Sequence, residues 1–139
     1  MERVAKCHCG SLSVVASGEP SPVLMCHCEL CQRRTGTSYN LGAWYPETDI
    51  SIQGETKLYA RTGDTNSLVK FYFCPNCGSN VFWKAPEIQP GKVAVAVGCF
   101  ADPEFPAPTL SLFGTQRHSW ITMPEEVPSF GGGRGSDEE

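Results

Sequence analysis

Apolar positions fall in short runs, rich in β-branched and aromatic residues and broken by Gly and Pro. Ser11–Ala16 (SLSVVA) follows a Cys-Gly turn, and Tyr39–Tyr45 carries aromatics and stops before Pro46. Asp49–Gln53 and Lys57–Ala60 are short, with Gly54 as turn material between them. Leu68–Phe73 (LVKFYF), Asn80–Lys84 (NVFWK) and Lys92–Gly98 (KVAVAVG) are the strongest runs. Short strands spaced about ten residues apart, separated by turn formers, predict a mainly β protein built as a sandwich or open barrel.

At most one short helix fits this pattern. Glu29–Thr35 (ELCQRRT) combines good helix formers with an acid in its first turn, and Gly36 stands ready to end it. An irregular loop is the competing reading. Eleven prolines oppose any long helix. The last nine residues, GGGRGSDEE, have almost no apolar surface to bury, so residues 1–130 are expected to form one domain and 131–139 a disordered Gly-rich acidic tail.

Composition narrows the function classes. A chain of 139 residues suits a single domain with a real core. A net charge of -4, with Arg33-Arg34 as the sole basic cluster, argues against nucleic acid as a partner. No apolar run approaches the ~20 residues of a membrane span, and no apolar segment follows the charged N-terminus. A soluble, cytoplasmic protein is therefore expected. In that compartment thiols stay reduced, so eight cysteines point to metal; export would instead open the way to four disulfides.

The cysteines form four groups: Cys7-x-Cys9, Cys26-x-Cys28-x-x-Cys31, Cys74-x-x-Cys77 and Cys99. In Cys74-Pro-Asn-Cys77-Gly78, one tight turn can present both sulfurs to an ion at about 2.3 Å, and Gly78 can take the positive φ that the turn needs. A redox Cys-x-x-Cys would sit in a βαβ context, whereas strands flank this one on both sides. A closed structural zinc needs four ligands, and Cys7 and Cys9, followed by Gly10, are the natural second pair. That leaves Cys26, Cys28 and Cys31. Three protein ligands leave one position open, as in catalytic zinc sites. Cys99 is the alternative fourth ligand, which would close the site; it can equally be a buried apolar residue. His27 is a weaker candidate, since its side chain should point away from its neighbours in a short turn. His8 and His118 carry little signal. Arg33 and Arg34, directly after the three-cysteine turn, can bind an anionic substrate or offset the site's negative charge, or simply be solvated.

The segments CHCGSLSV (Cys7–Val14), CHCELCQRRTGTSY (Cys26–Tyr39), FCPNCGSNVFW (Phe73–Trp83), VAVGCFADP (Val95–Pro103) and SWITMPEEVPSF (Ser119–Phe130) carry a resemblance. Together, and in this order, they resemble the glutathione-dependent formaldehyde-activating enzyme family, grouped with centromere protein V. The resemblance implies a two-sheet, zinc-binding β fold similar to that of B-type methionine sulfoxide reductases. It implies a structural zinc on Cys7, Cys9, Cys74 and Cys77, and a second zinc, linked to activity, on Cys26, Cys28 and Cys31; an open three-ligand site is expected to hold its zinc less tightly. It implies a carbon–sulfur lyase-type reaction, condensing formaldehyde with glutathione to S-(hydroxymethyl)glutathione. From their place after the three-cysteine turn, Arg33 or Arg34 could then hold the thiol's carboxylates. Two positions depart from the family's pattern: Cys99 stands where a small hydroxyl residue is common, and Ser111 stands nine before Trp120, where a His is common. A non-catalytic zinc module that binds a protein partner is the rival reading. Methionine sulfoxide reduction would need Cys99 as nucleophile, and its flank GCFAD does not resemble that family's catalytic segment.

Overall fold

The computed structural model describes residues 1–62 and 66–139. Among them it forms strands β1 (Glu2–Lys6), β2 (Ser13–Ser17), β3 (Val23–Cys26), β4 (Asn40–Pro46), β5 (Ile50–Gln53), β6 (Lys57–Thr62), β7 (Leu68–Phe73), β8 (Asn80–Lys84), β9 (Lys92–Ala96) and β10 (Leu110–Leu112), and one helix, α1 (Glu29–Thr35). The protein is mainly β, with two sheets. The chain divides into two compact units: Met1–Pro20 with Ala43–Phe105, and Ser21–Gly42 with Pro106–Glu139.

In the first unit, β1 pairs antiparallel with β2, and β2 with β5, giving a three-stranded sheet. Val14 and Ala16 of β2 are fully buried while Val15 between them is half-buried, the period of two expected of a one-sided strand. The same unit holds the antiparallel run β9-β8-β7-β6, with Tyr72 stacked on Phe82 across β7 and β8 at 4.7 Å between ring centroids. Phe82, Val93 and Val95 are buried on one face of β8 and β9, and Val81, Trp83 and Ala94 on the other. In β8 the run NVFWK keeps Val81, Phe82 and Trp83 all buried, so both of its faces are covered.

The second unit contains α1 and the parallel pair β3 and β10, with Met25 opposite Ser111 and Cys26 opposite Leu112. Thr109 locks the start of this pair: its N–H donates to the Val23 carbonyl at 2.8 Å, and its hydroxyl accepts from the Val23 N–H at 3.0 Å. Helix α1 begins and ends as the sequence predicts. Gly36 takes a left-handed φ of 72° and its N–H reaches the Gln32 carbonyl at 2.8 Å.

Three strands lie outside the expected set: β1, β3 and β10. Each is short, and none shows clean alternation, so pairing with a partner makes them strands. The run KVAVAVG also departs from expectation. Its strand stops at Ala96, and Val97–Phe100 turn as a 3-10 segment ending in Ala101 at φ 49°. The β8–β9 ladder pairs Trp83 with Ala94 and Phe82 with Val95 and goes no further, so Cys99 sits in that turn and does not end a strand. The Gly-rich end turns back on itself, with Gly131 N–H donating to the Asp137 carbonyl at 3.0 Å and Glu139 N–H to the Ser129 carbonyl at 2.7 Å. No helix among the described residues is long and apolar enough to cross a membrane.

Candidate metal centres

The structure gathers seven of the eight cysteines into two groups. Cys7, Cys9, Cys74 and Cys77 form one, and Cys26, Cys28 and Cys31 the other; within each, all sulfurs lie within 4.8 Å of one another. Either group could hold a metal ion.

The first group is built from two matching turns. Gly10, after Cys9, has φ 83°, and Gly78, after Cys77, has φ 79°. Each turn is closed by its first cysteine: Cys7 N–H donates to the Leu12 carbonyl and Cys74 N–H to the Ser79 carbonyl, both at 2.9 Å. Glycine is required because the chain must reverse in the left-handed region within one residue of a ligand. The turns are joined by His8 N–H, which donates to Ser79 Oγ at 3.0 Å. A tetrahedral zinc with Zn–S near 2.3 Å needs sulfurs about 3.8 Å apart. Cys7 and Cys9 lie 3.6 Å apart, and Cys9 and Cys74 3.7 Å apart, so the donor set fits the ion.

Hydroxyls and amides stand ready for negative charge on these sulfurs. Ser11 Oγ is 3.0 Å from Cys9 Sγ and 3.2 Å from Cys74 Sγ, and Ser79 Oγ is 3.3 Å from Cys77 Sγ. Leu12 N–H donates to Cys7 Sγ at 3.2 Å, and Cys77 N–H to Cys74 Sγ at 3.4 Å. The Ser11 hydroxyl draws the Cys9 thiol down to about 7 and the Ser79 hydroxyl draws Cys77 down to about 5, whereas at Cys74 the Ser11 hydrogen bond is outweighed by burial and Cys77, which raise it. Neither serine was singled out from sequence alone. The signal was present, since both turns read Cys-Gly-Ser.

The second group grows from the end of β3 and the start of α1. Cys28 is the helix N-cap: its sulfur accepts the Cys31 N–H at 3.3 Å, the place that Ser or Asp usually fills. Cys31 then lies one turn into the helix beside it. All three thiols are buried, and Leu30 and Phe113 pack against them. Here burial and the neighbouring sulfurs dominate. The Cys26 thiol is held far above its ordinary range by its two sulfur neighbours and by burial. Cys31 is pushed up to about 11: a hydrogen bond from Cys26 opposes the rise, and Cys28 and burial outweigh it. Uncompensated thiolates would be costly here, so this group needs a cation to ionise.

The remaining candidates are placed as follows. His27 is fully buried, outside the three-sulfur group, and neither ring nitrogen has a hydrogen-bond partner among the described residues. Burial lowers its pKa and keeps the ring neutral. Cys99 belongs to neither group; its Sγ lies 3.7 Å from the Asn80 carbonyl, and burial pushes its thiol up to about 11. Arg33 is exposed and paired with Glu29 at 2.6 Å one turn earlier. Arg34 is half-buried, and its charge acts on Cys31. Gln32, not anticipated, ties the helix down: its Nε2 donates to the His27 carbonyl at 2.8 Å and the Gln116 carbonyl at 3.2 Å, and its Oε1 meets His118 Nε2 at 2.8 Å.

A search of the curated proteins returns no match to this chain. Among solved structures, a Rhodobacter sphaeroides protein is similar with a TM-score of 0.52 and 23% identity, covering 69% of this chain and 85% of that one. That likeness speaks to the fold. The family described as "Glutathione-dependent formaldehyde-activating enzyme" matches residues 2–116, a span that contains both cysteine groups. By that match, the chain belongs to the glutathione-dependent formaldehyde-activating enzyme family.

Proposed function

We propose that this protein is a zinc-dependent carbon–sulfur lyase-type enzyme that joins an aldehyde such as formaldehyde to a thiol such as glutathione. The observation that carries this reading is the inequality of the two cysteine groups. One has four sulfurs supplied with hydroxyl and amide donors; the other has three buried sulfurs. Four sulfurs close a structural site, whereas three leave one tetrahedral position for a substrate.

Cys7, Cys9, Cys74 and Cys77 would hold the structural ion, and Cys26, Cys28 and Cys31 the other. Zinc bound to those three would supply a fourth position at which a thiol is favoured as its thiolate near neutral pH. Leu30 and Phe113 keep water from the buried sulfurs. Arg34 offsets part of the negative charge, and Arg33 and Arg34 are the cations on α1 that could meet the thiol's carboxylates. The reaction forms one bond, from sulfur to the aldehyde carbon, and the thiol proton ends on the new hydroxyl oxygen. No oxidant or reductant is needed. A cytoplasmic setting fits the reduced cysteines.

X-ray absorption on protein with two zinc ions per chain tests this. Glutathione should raise the mean sulfur coordination, from between three and four towards four. Unchanged coordination at saturating glutathione would refute the thiol-ligand mechanism.

A further inference from the structure

Phe113, Gly114 and Arg117 form a short stretch after β10. Phe113 packs against the three-cysteine group and holds φ 57°, a strained value for a bulky residue. Gly114, buried, has no side chain, and a Cβ there would collide with the Glu139 carboxylate. Arg117, with its side chain three-quarters buried, donates from Nη1 to that same carboxylate at 2.8 Å. Gly114 and Arg117 thus make a cradle shaped for one carboxylate, with a bare backbone floor and a guanidinium wall. Leu112, just before this stretch, pairs with Cys26 across β3 and β10 and accepts the His27 N–H at 3.1 Å, so the backbone ties the cradle to the cysteine group.

The present occupant comes from the chain itself. Residues 129–139 turn back so that Gly132 accepts the Phe113 N–H at 2.9 Å and Gly133 lies against the Phe113 ring. Gly131–Gly133 carry no side chains, so only their backbone groups hold that stretch in place. The cation best placed on the helix surface for an incoming anion, Arg33, is already paired with Glu29. A net charge of -4 gives no general attraction for an anionic thiol, so recognition needs a local, desolvated cation.

We infer that the Gly114–Arg117 cradle is a carboxylate subsite for the thiol at the three-cysteine group, separate from the cations on α1, and that Glu139 occupies it in competition with substrate. The inference rests on the thiol-ligand reading above. Arg117 acts here as a specificity-determining residue, and the segment 131–139 as a built-in competitor.

Calorimetric titration of the zinc-loaded protein with glutathione and with cysteamine, a thiol lacking a carboxylate, tests this. Glu139→Gln should bind glutathione about three- to tenfold more tightly, and Arg117→Gln about tenfold more weakly. Arg117→Lys, which keeps the charge but loses the fork, should fall between wild type and Arg117→Gln. Cysteamine affinity should stay constant throughout. Glutathione affinities within twofold across the set, or cysteamine shifting in parallel, overturn the subsite while leaving the thiol-ligand reading intact. Failure of wild type to bind either thiol overturns both.

Discussion

Gly54→Ala probes how tightly the first cysteine group depends on packing. Gly54 ends β5 at φ 108°, and an added Cβ would lie closer to the Ser11 carbonyl oxygen than real Cβ contacts allow, with Leu12 Cα at 3.0 Å and Ser11 C at 3.1 Å. Two penalties follow. Holding an L-residue at that φ costs about 1–3 kcal/mol. Pushing rigid backbone aside costs about 1–3 kcal/mol more. The sum, about 2–6 kcal/mol, is a large share of a stability of about 5–15 kcal/mol. The displaced residue is Ser11, whose hydroxyl stands at 3.0 and 3.2 Å from Cys9 and Cys74, so the injury should reach the metal site. Gly18→Ala is the control, because Gly18 has φ 80°, lies outside the cysteine turns and has nothing within 4 Å of an added Cβ. Thermal unfolding of the zinc-loaded proteins, followed by circular dichroism with zinc release read by a chelating dye, should show Gly54→Ala melting roughly 10 °C below wild type and releasing zinc faster. Gly18→Ala should lose less, about 1–2 kcal/mol, and keep the wild-type zinc-release rate. Equal losses in the two variants, or a normal zinc-release rate in Gly54→Ala, would refute the packing argument.

Other outcomes follow from the same geometry. Ser11→Ala removes the hydroxyl that holds the Cys9 thiol near 7; that thiol's pKa should rise, so protons compete better and the acid midpoint of zinc release should move to higher pH. An unmoved midpoint in a pH titration of bound zinc would count against the hydroxyl's role. Cys74→Ser should abolish cooperative unfolding, while Cys31→Ser should keep the fold and lose one zinc per chain together with thiol-dependent aldehyde consumption; the reverse pattern would exchange the roles of the two groups. Glu19 is held below the usual carboxylate range by its hydrogen bond to Arg3. Its contribution is therefore present above about pH 4.3 and is lost as pH falls through its lower folded value. Melting temperatures of wild type and Glu19→Gln should differ at pH 6 and converge near pH 2, and a constant gap would contradict this linkage.

The four-cysteine group was legible in the sequence because its members come in local turns. Cys-x-Cys-Gly and Cys-x-x-Cys-Gly encode their own conformation, since only Gly tolerates φ near +80° at the reversal. The helix was legible for the same reason: its formers, its acidic first turn and its Gly36 stop all act within seven residues. Likewise, β7 and β8 carry dense enough β-branched and aromatic runs to declare themselves.

What lay beyond sequence reasoning depends on partners distant along the chain. Nothing in VLMC or LSL says strand; each becomes one only when Val23–Cys26 pairs with Leu110–Leu112. Ser11 meets Cys74 across sixty-three residues, and Arg117 meets Glu139 through a turn that no local propensity marks. The sequence by itself determined that there would be sheets, one helix and cysteines paired for metal. Tertiary structure alone decided that Ser11 and Ser79 stand beside the sulfurs of Cys9, Cys74 and Cys77 and that Cys26, Cys28 and Cys31 are buried together, because solvation and charge in a folded protein are set by neighbours in space.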